Sequence, residues 1–470
     1  MSRSAGSAIR GELSASDPGG KPRMLGQLMI APTRADFIPK EHYTSVEFTQ
    51  LENARLWPRV WQIACREEDL PEVGSFFTYK IAHQSIVVVR TAESRIQAFH
   101  NVCPHRGREL KRGNGRMSKF QCPFHGWQWN LEGAITHIPD RSDWQGCTDM
   151  RDSDVHLQEV KVGKWGGFVF INMDPDCEPF ERFIEPVPEF LDCLEFEQMR
   201  YAWHKTFVMQ ANWKTAMESF MESYHLPITH PQALPLVDSP NWGSAHGKHA
   251  KHTYAWERPP GAPSRLLDLP IPTDWRKPVA DMYEWNCVQV GGIHRNGQTS
   301  DRSAKAVQRL LTELPASASY LEVMAKADQL CREAAQAEGA GWPTVTPEQA
   351  VNLGADWNIF PNMVLVFSMD STLVLQAWPN GDDPNACIFS MSAITRFGPG
   401  HQPKFEREVY STWQENRDKI PPLLVQDLSN IEGVQRGMRS LAFRGGRTNP
   451  KQEVQISHHH QVLEQYLFDF

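Results

Sequence analysis

The stretch of sequence that decides the fold is a pair of short boxes, CPHRG at residues 103–107 and CPFHGW at residues 122–127. Thiolate and imidazole groups suit either zinc or an iron–sulfur cluster, so two metal-binding loops are expected here. A single residue separates Cys103 from His105, whereas paired zinc ligands usually lie about two to four residues apart. The boxes therefore favour an iron–sulfur cluster over zinc, and the glycine in or beside each box allows its loop to turn tightly.

Outward from the boxes, the chain has the pattern of a small all-β module. Short runs rich in β-branched and aromatic residues predict strands at residues 76–81, 85–91, 97–99 and 168–172. A helical pattern precedes this module, and residues 1–22 are rich in Ser, Gly and Ala without periodicity, which predicts disorder. We therefore divide the chain into an N-terminal segment, partly disordered, at 1–46, a helix plus the all-β domain at 47–175, and a second domain at 176–470.

The second domain mixes helical and strand patterns, so the predicted fold class is α+β. Helical patterns cover residues 213–225, 301–314, 318–339, 404–419 and 423–441. Strand patterns cover residues 362–367, 373–378 and 387–395. Residues 232–300 predict long irregular connections, and the run His458–His460 predicts an exposed helix start.

The composition describes an ordinary globular protein. The 470 residues are 22% charged and 40% hydrophobic, and the net charge of −8 favours neither nucleic acid nor a membrane surface as partner. No apolar run reaches the roughly 18–20 residues of a membrane-spanning helix. Nine cysteines form an odd, sparse set that does not suit a secreted disulfide scaffold. We therefore expect a cytoplasmic protein.

The segment between the two boxes is locally basic, although the whole chain is acidic. Its charged residues are Arg106, Arg108, Lys111, Arg112, Arg116 and Lys119, with Glu109 as the one acid. This basic patch is either a solvated loop or a docking surface for an acidic electron-donor protein.

A second group of metal-ligating residues lies in the segment 212–231. Glu218, Glu222 and His225 are spaced i, i+4 and i+7, so they share one face if the segment is helical there. Two carboxylates and an imidazole beside an apolar stripe are costly to bury unless they are paired or bind a cation. His230 follows in the next loop, from which it could meet His225 at one metal.

A carboxylate is needed to complete a two-histidine-one-carboxylate site, the ligand set that leaves positions open on a non-haem iron. Asp427 is the candidate, because it shares a helical face with Leu424 and Ile431 and so points toward the core. A buried aspartate needs a partner, which a metal would supply. The sequence thus predicts a mononuclear metal site at His225, His230 and Asp427.

The two boxes resemble the cluster-binding motifs of the Rieske non-haem iron aromatic-ring-hydroxylating oxygenase family, in its oxygenase (alpha) component. The resemblance implies that Cys103 and Cys122 hold one iron of a [2Fe–2S] cluster, while His105 and His125 hold the other. It also implies a small all-β Rieske domain followed by a helix-grip (START/Bet v1-like) catalytic domain with an antiparallel sheet.

The second group resembles the mononuclear iron motif of the same family, in the pattern Glu222-x-x-His225 followed by His230. The resemblance implies that the three predicted ligands bind Fe(II), one per subunit. In that family, a carboxylate three residues before the first histidine connects the iron to the cluster of the next subunit. Glu222 takes that position, where most relatives have Asp, and would link His225 to His125 of the partner subunit.

The resemblance further implies the terminal oxygenase of a multicomponent system that uses O2. NAD(P)H-derived electrons would arrive from a separate flavin reductase, directly or through a ferredoxin, and the oxygenase would be a homotrimer. The product would be a cis-diol, a monohydroxylated compound or a dealkylated one. Met217, Met221 and Phe367 either pack in the core or line a pocket for an apolar substrate, aromatic or polycyclic as in aromatic hydrocarbon catabolism. A quaternary amine is the alternative substrate. An electron-transfer protein without oxygenase chemistry and a zinc-binding scaffold are the rival classes.

Overall fold

A computed structural model describes the chain at residues 23–25, 28–144, 146, 150–238, 241–254, 258–287, 289–290, 293–294 and 297–468. The disorder expected for residues 1–22 lies outside the described residues. The N-terminal segment contains the hairpin Arg23–Leu25 with Leu28–Ile30, the short strand Ile38–Pro39, and the helices Glu41–Thr44 and Val46–Arg55. The strand Ile38–Pro39 pairs with Gly445–Gly446, which ties this segment to the C-terminal part of the chain.

The first domain is built on a seven-stranded antiparallel sheet. Its strands, in spatial order, are Gln62–Arg66, Phe168–Asn172, Glu159–Trp165, Arg95–His100, Gln84–Ala92, Ser75–Ile81 and Asn114–Arg116. A second, three-stranded sheet contains Ile135–His137, Gln128–Trp129 and Phe120–Gln121. The two sheets share a core in which the rings of Phe99 and Phe120 meet edge to face at 5.8 Å. The predicted all-β module is confirmed.

The run of aliphatic residues in the strand Gln84–Ala92 shows why this domain attaches firmly to the rest of the chain. Side chains alternate between the two faces of a strand. Val87 and Val89 therefore enter the core between the two small sheets, while Ile86 and Val88 enter the large core shared with the second domain. Both faces of this strand are buried, and the strand lacks the polar face of a half-exposed one.

The second domain contains an eight-stranded sheet. In spatial order its strands are Asn241–His246, His249–Tyr254, Asp356–Ile359, Met363–Phe367, Ser371–Pro379, Cys387–Thr395, Arg200–Met209 and Arg407–Tyr410. All neighbours are antiparallel except the last pair, in which Arg407–Tyr410 runs parallel to Arg200–Met209. The predicted α+β class with an antiparallel catalytic sheet is therefore confirmed, apart from this one parallel edge strand.

Helices surround this sheet. They are Phe180–Ile184, Val187–Leu191, Trp213–Glu218, Leu226–Thr229, Arg276–Asn286, Asp301–Val307, Leu310–Glu313, Tyr320–Glu338, Pro347–Asn352, Pro422–Met438 and Val454–Phe468. The longest, Tyr320–Glu338, begins at a capping box between Ser319 and Glu322 and ends at Gly339, whose φ of 70° suits glycine. Within the described residues, no helix combines the length and the apolar character needed to cross a membrane.

The helix predicted at residues 404–419 is wrong. Arg407–Tyr410 forms the edge strand of the large sheet, and a 3-10 helix follows only at Gln414–Lys419. The strand is held by partners distant in sequence, since the Arg407 guanidinium lies 2.7 Å from the Asp69 carboxylate. Such non-local pairing overrides a local helical pattern.

The prediction of irregular chain at residues 232–300 is also wrong in part. The hairpin Asn241–His246 with His249–Tyr254 extends the large sheet, and Arg276–Asn286 is a helix. The hairpin packs against the C-terminal helix Val454–Phe468, where His458 Nε2 lies 3.0 Å from the Gly247 carbonyl oxygen.

The exposed helix start predicted at His458–His460 is wrong as well. These histidines lie inside the C-terminal helix and are buried, with His459 and His460 at most 1% exposed. The cover comes from the N-terminal segment, because His42 Nδ1 lies 2.8 Å from His460 Nδ1. The pattern of the C-terminal helix alone could not reveal a contact made about four hundred residues away.

Candidate metal centres

The two cysteine–histidine boxes form loops of the same geometry. In the first loop, the Cys103 N–H donates to the Arg108 carbonyl at 2.8 Å and the Gly107 N–H donates to the Cys103 carbonyl at 2.9 Å. The second loop repeats this pattern, from Cys122 to the Trp127 carbonyl at 2.8 Å and from Gly126 to the Cys122 carbonyl at 3.0 Å. Both glycines have φ near 75°, a conformation that side chains with a Cβ rarely adopt.

These loops direct four donor atoms inward. Cys103 and Cys122 are both 2% exposed, and the rings of His105 and His125 lie 4.7 Å apart. The buried Nδ1 atoms of both histidines have no hydrogen-bond partner among the described residues. Burial raises the pKa of the Cys103 thiol to about 11, and the neighbouring Cys122 thiol adds to the shift.

Buried imidazole nitrogens without hydrogen bonds, beside inward-facing thiols, are what a metal group would satisfy. Partial burial, together with His125 and Arg106, lowers the pKa of His105, which favours the neutral imidazole that binds a metal. Trp127 stacks on the His105 ring at 5.0 Å and limits access of water to that side. The donor set of two cysteines and two histidines fits a [2Fe–2S] group of the Rieske type.

The single helix predicted at residues 213–225 is wrong. The helix runs only over Trp213–Glu218, and the next helix is Leu226–Thr229. The chain turns between them because the Glu222 carboxylate accepts a 3.0 Å hydrogen bond from the His225 backbone N–H, a local interaction that competes with helix. Glu218 therefore does not share a face with Glu222, and its carboxylate points instead to Tyr43 and His460.

The three predicted metal ligands do come together. His230 Nε2 lies 2.8 Å from Asp427 Oδ1, and His225 Nε2 lies 3.5 Å from the same oxygen. One donor atom from each of the three residues lies within 4.8 Å of the other two, and this is the only such metal-ligating group among the described residues. Asp427 and His230 are 5% exposed, while His225 is 26% exposed and forms the open side of the group.

The two imidazoles are held by their other ring nitrogens. His225 Nδ1 lies 2.6 Å from Glu222 Oε1, and His230 Nδ1 lies 2.8 Å from Gln426 Oε1. An acceptor at Nδ1 places the ring proton there and leaves Nε2 free to coordinate a metal. Burial lowers the pKa of His225, but Glu222, Asp427 and Glu453 outweigh it, so that the pKa is raised overall. The donor set and its oriented tautomers fit a divalent iron.

Gln435 fixes the helix Pro422–Met438 against the helix Trp213–Glu218. Its Oε1 accepts from the Asn212 N–H at 3.0 Å and from the Thr215 hydroxyl at 2.9 Å. Asn212 in turn caps the shorter helix by accepting from the Lys214 N–H at 3.1 Å. These bonds hold the helix that carries Asp427 against the segment that carries the histidines.

Sequence reasoning missed a buried ion pair behind the site. Lys214 Nζ lies 2.5 Å from Glu52 Oε1, and both side chains are 0% exposed. The Trp213 indole N–H donates to the other Glu52 oxygen at 3.2 Å. Trp213 and Lys214 therefore attach the site to the helix Val46–Arg55. Glu52 carries no local signal, because an acid at a helix position normally predicts an exposed face.

The residues expected to line an apolar substrate pocket are part of the core. Met217 and Met221 are 0% exposed and belong to the large hydrophobic cluster, against which Phe367 also packs. Core packing therefore accounts for these side chains.

The basic patch lies on the surface of the first domain. Arg112 and Arg116 are 76% and 66% exposed, and their partners are Glu109 at 2.7 Å and Glu72 at 2.5 Å. Closer to the cluster loops, the Arg106 guanidinium lies 5.4 Å from the ring of Phe124, which is 57% exposed. The patch thus combines exposed positive charge with an exposed aromatic ring.

Comparisons with known proteins agree with this geometry. A family model described as the ring hydroxylating alpha subunit (catalytic domain) matches residues 192–468, and one described as the Rieske [2Fe-2S] domain matches residues 60–156. The chain is similar to the carnitine monooxygenase oxygenase subunit of Escherichia coli (strain K12), with 31% identity over 46% of this chain and 58% of that protein. It is also similar to chloroplastic choline monooxygenase of Beta vulgaris, with 29% identity over 44% and 48% of the two chains. The matched part spans about half the length of these curated relatives.

Two solved structures share the fold. The quaternary ammonium Rieske monooxygenase CntA in complex with L-carnitine has a TM-score of 0.60 and 18% identity, covering 92% of this chain and 95% of that one. Naphthalene 1,2-dioxygenase from Rhodococcus sp. bound to indole has a TM-score of 0.58 and 17% identity, covering 92% and 94%. The catalytic-domain model matches more than half of the residues, so the chain belongs to the ring-hydroxylating alpha-subunit family and carries a Rieske [2Fe–2S] domain ahead of the catalytic domain that binds mononuclear iron in this family.

Proposed function

We propose that this protein is the terminal oxygenase component of a Rieske non-haem iron system. The observation that carries the proposal is the convergence of His225, His230 and Asp427, with each imidazole oriented through its Nδ1. An electron-transfer protein would need the cluster loops but no second, oriented ligand set. The convergence therefore favours oxygenase chemistry over that rival class.

In this proposal, the cluster is held by Cys103, Cys122, His105 and His125. The iron is held by His225, His230 and Asp427. When bound, the cluster supplies electrons and the iron supplies open positions at which O2 is activated. Glu222 and Gln426 keep the imidazole Nε2 atoms directed at the metal position, and Gln435 keeps the carboxylate helix in register with them.

We propose a quaternary amine as the substrate class. The relatives with 29–31% identity are named for carnitine and choline, each of which carries a trimethylammonium group. The glutamate at position 222, where an aspartate is more usual, agrees with this branch. Insertion of one oxygen atom into a C–H bond beside the nitrogen would consume one O2, two electrons and two protons and release one water. The aromatic substrate that we expected from the sequence takes no support from these relatives.

We further propose a homotrimer in which Glu222 joins the two centres across the subunit contact. Glu222 uses both oxygens within its own chain, at 2.6 Å and 3.0 Å from His225 atoms, yet each carboxylate oxygen can accept a second hydrogen bond. A hydrogen bond from His125 of the partner subunit is therefore compatible with the local geometry. Exposed apolar side chains at both ends support such a contact, namely Phe124 beside the cluster and Tyr224 and Ile228 beside the iron site.

The electron donor is proposed to be a separate NAD(P)H-dependent flavin reductase, directly or through a ferredoxin. An acidic donor would fit the basic patch, where Arg106 and Phe124 lie at the edge of the cluster loops. Charge reversal in Arg106→Glu should slow electron entry most at low salt, where surface charges are least screened.

The experiment that tests the proposal is turnover of the purified protein with a generic reductase and ferredoxin. The substrate panel contains carnitine, choline and glycine betaine, with naphthalene as the aromatic comparison. We expect O2 consumption and a hydroxylated or dealkylated product from a quaternary amine, and none from the Asp427→Ala variant. Oxidation of naphthalene alone would overturn the substrate class. Iron and sulfide in equal amounts, with no further iron, would overturn the oxygenase itself.

A further inference from the structure

A chain of close polar contacts runs through the interior of the protein. Its members are the side chains of Glu218, His460, His42 and Glu464. We propose that this chain is a proton relay between Glu218, at the end of the helix Trp213–Glu218, and Glu464, in the C-terminal helix. Its purpose, the supply of protons for oxygenation, rests on the proposed function. Its existence as a relay does not, and can be tested in the resting protein.

Two of the contacts are short, and the third is a longer electrostatic contact. Glu218 Oε1 lies 2.6 Å from His460 Nε2, and the two imidazoles meet with His460 Nδ1 at 2.8 Å from His42 Nδ1. On its far side, His42 Nε2 lies 3.5 Å from Glu464 Oε1. The His42 and His460 side chains are 0% exposed, so bulk water does not compete for these contacts.

The number of protons shared along these contacts determines how the relay can transfer a proton. A contact of 2.8 Å between the two Nδ1 atoms requires one proton between them, and the contact between His460 Nε2 and Glu218 requires another. A proton that reaches Glu464 passes to His42 Nε2, His42 donates from Nδ1 to His460, and His460 donates from Nε2 to Glu218. Moving each proton one step leaves Glu464 ionised and Glu218 protonated. Both imidazoles are neutral before and after the transfer.

The surroundings favour those protonation states. Burial raises the pKa of Glu218 to about 8, although the Tyr43 hydroxyl and Lys214 oppose the shift. Burial, with Lys214 adding, lowers the pKa of His460 well below its usual value. The titratable and charged groups that face the relay come from four elements and are Tyr43, Glu52, Lys214, Glu453 and His459.

Glu453 connects the relay electrostatically to the iron site. Burial raises the pKa of Glu453, and the charges of Glu222 and Glu218 raise it further, while His225 lowers it. Glu453 therefore lies within electrostatic reach of both carboxylates, one at each site. At the other end, Glu464 accepts from the Thr33 N–H at 2.8 Å, next to the exposed residues 34–36. The relay thus runs between Glu218, which precedes Glu222 in the same segment, and a surface segment.

The proposed reaction consumes protons, which a relay at this place could deliver. Each turnover takes up two protons at a site whose ligands are mostly buried, so protons must reach it through polar side chains or water. Carboxylate and imidazole groups in hydrogen-bond contact are suited to that transfer, because imidazole can accept at one nitrogen while it donates from the other.

The first test is spectroscopic and uses the resting holoprotein. Infrared difference spectra between acidic and alkaline solution should contain the C=O stretch of a protonated carboxyl group that titrates near pH 8 and is lost in Glu218→Gln. Nitrogen NMR of the histidines should show His42 and His460 as neutral rings across that range. A missing carboxyl band, or a charged His460 ring at neutral pH, would overturn the relay.

The second test uses the variant His460→Gln, whose amide cannot pass a proton from one side to the other. We expect the rate of product formation to fall by about tenfold or more and its pH profile to change, with cluster and iron content unchanged. His459→Gln is the matched control, since His459 is an equally buried neighbour outside the chain.

The two tests separate the relay from the proposed function. If no substrate is oxidised but the carboxyl band and neutral rings are present, the relay stands and the oxygenase proposal fails. If turnover proceeds and His460→Gln behaves like His459→Gln, the relay is overturned while the oxygenase proposal stands.

Discussion

The Glu222 carboxylate makes two hydrogen bonds to His225. Its Oε1 lies 2.6 Å from the ring Nδ1, and its Oε2 accepts from the backbone N–H at 3.0 Å. These contacts set both the turn of the chain and the direction of the ring. Because Nδ1 is occupied, the Nε2 atom is directed toward Asp427, 3.5 Å away. One side chain therefore decides the geometry of a metal ligand and, in the proposed trimer, the contact to the next cluster.

Glu222→Gln should weaken iron binding. The amide can still accept from His225 but carries no charge, and loss of such a partner typically lowers metal affinity about 10- to 100-fold. Titration of Fe(II) into chelator-treated protein measures the change. Glu348→Gln, at an exposed position, is the control. An affinity equal to that of the parent protein would show that Glu222 does not support the ligand.

Asp427→Ala and His230→Ala should each remove the mononuclear iron and leave the cluster in place. The two side chains lie 2.8 Å apart and are both 5% exposed, so neither has another residue ready to replace it. Iron analysis should fall to the cluster iron alone, with the visible spectrum retained. His83→Ala, at a histidine that is 64% exposed, should keep all of its iron. Full iron content in both ligand variants would place the metal elsewhere.

Cys122→Ser should remove the cluster and its visible absorbance, because the ligands of the proposed cluster come from both loops. Serine has the size of cysteine but lacks the thiolate that binds iron. Cys177→Ser, at a half-buried cysteine outside the loops, is the matched control and should stay coloured. Visible spectra with sulfide analysis decide the outcome. A coloured Cys122→Ser variant with normal sulfide would contradict the assignment.

Lys214→Met should destabilise the protein by about 3–5 kcal/mol, because it leaves the Glu52 carboxylate buried without its cation. The double variant Lys214→Met with Glu52→Leu should recover most of that loss, since an apolar pair of similar volume removes both buried charges. Urea unfolding measures the three proteins. A double variant as unstable as the single one would mean that the pair is needed for its hydrogen bonds, including that to Trp213.

The stability of the protein should depend on pH through Glu218. Its pKa is raised from 4.5 to about 8 in the folded state, so between these values the folded protein keeps a proton that the unfolded chain releases. The free energy of unfolding should therefore decrease as pH rises through this window, by on the order of a few kcal/mol. Glu218→Gln should lack this decrease. Parallel pH profiles for the two proteins, from urea unfolding, would rule the effect out.

Short-range spacing made much of the site predictable. Cys103 and His105, like Cys122 and His125, lie within a few residues of one another, so no long-range information was needed to recognise them as ligands. Asp427 was recognised from its place in an apolar stripe, which places a side chain on the buried face of a helix. The confirmed strands at 168–172 and 387–395 are runs whose β propensity agrees with their burial.

The errors arose where distant parts of the chain meet. Residues 404–419 have a helical pattern. Part of this segment nevertheless pairs with the strand Arg200–Met209 at the edge of the sheet, and a local pattern cannot predict that distant partner. The spacing of Glu218 and Glu222 predicts that they share one helical face. The helix ends at Glu218, however, and the Glu218 carboxylate accepts a hydrogen bond from Tyr43. Glu52 gave no signal by itself, because its role depends on Lys214.

The sequence by itself determined the two cysteine–histidine loops, the candidate metal ligands and the α+β class, because these follow from ligand spacing and hydrophobic periodicity. Only the tertiary structure decided which carboxylate lies beside the candidate metal ligand His225 and which points into the interior. Glu222 and Glu218 are four residues apart and chemically identical, and they differ only in what surrounds them. His225 lies beside the first, whereas His460, brought from the far end of the chain, lies beside the second.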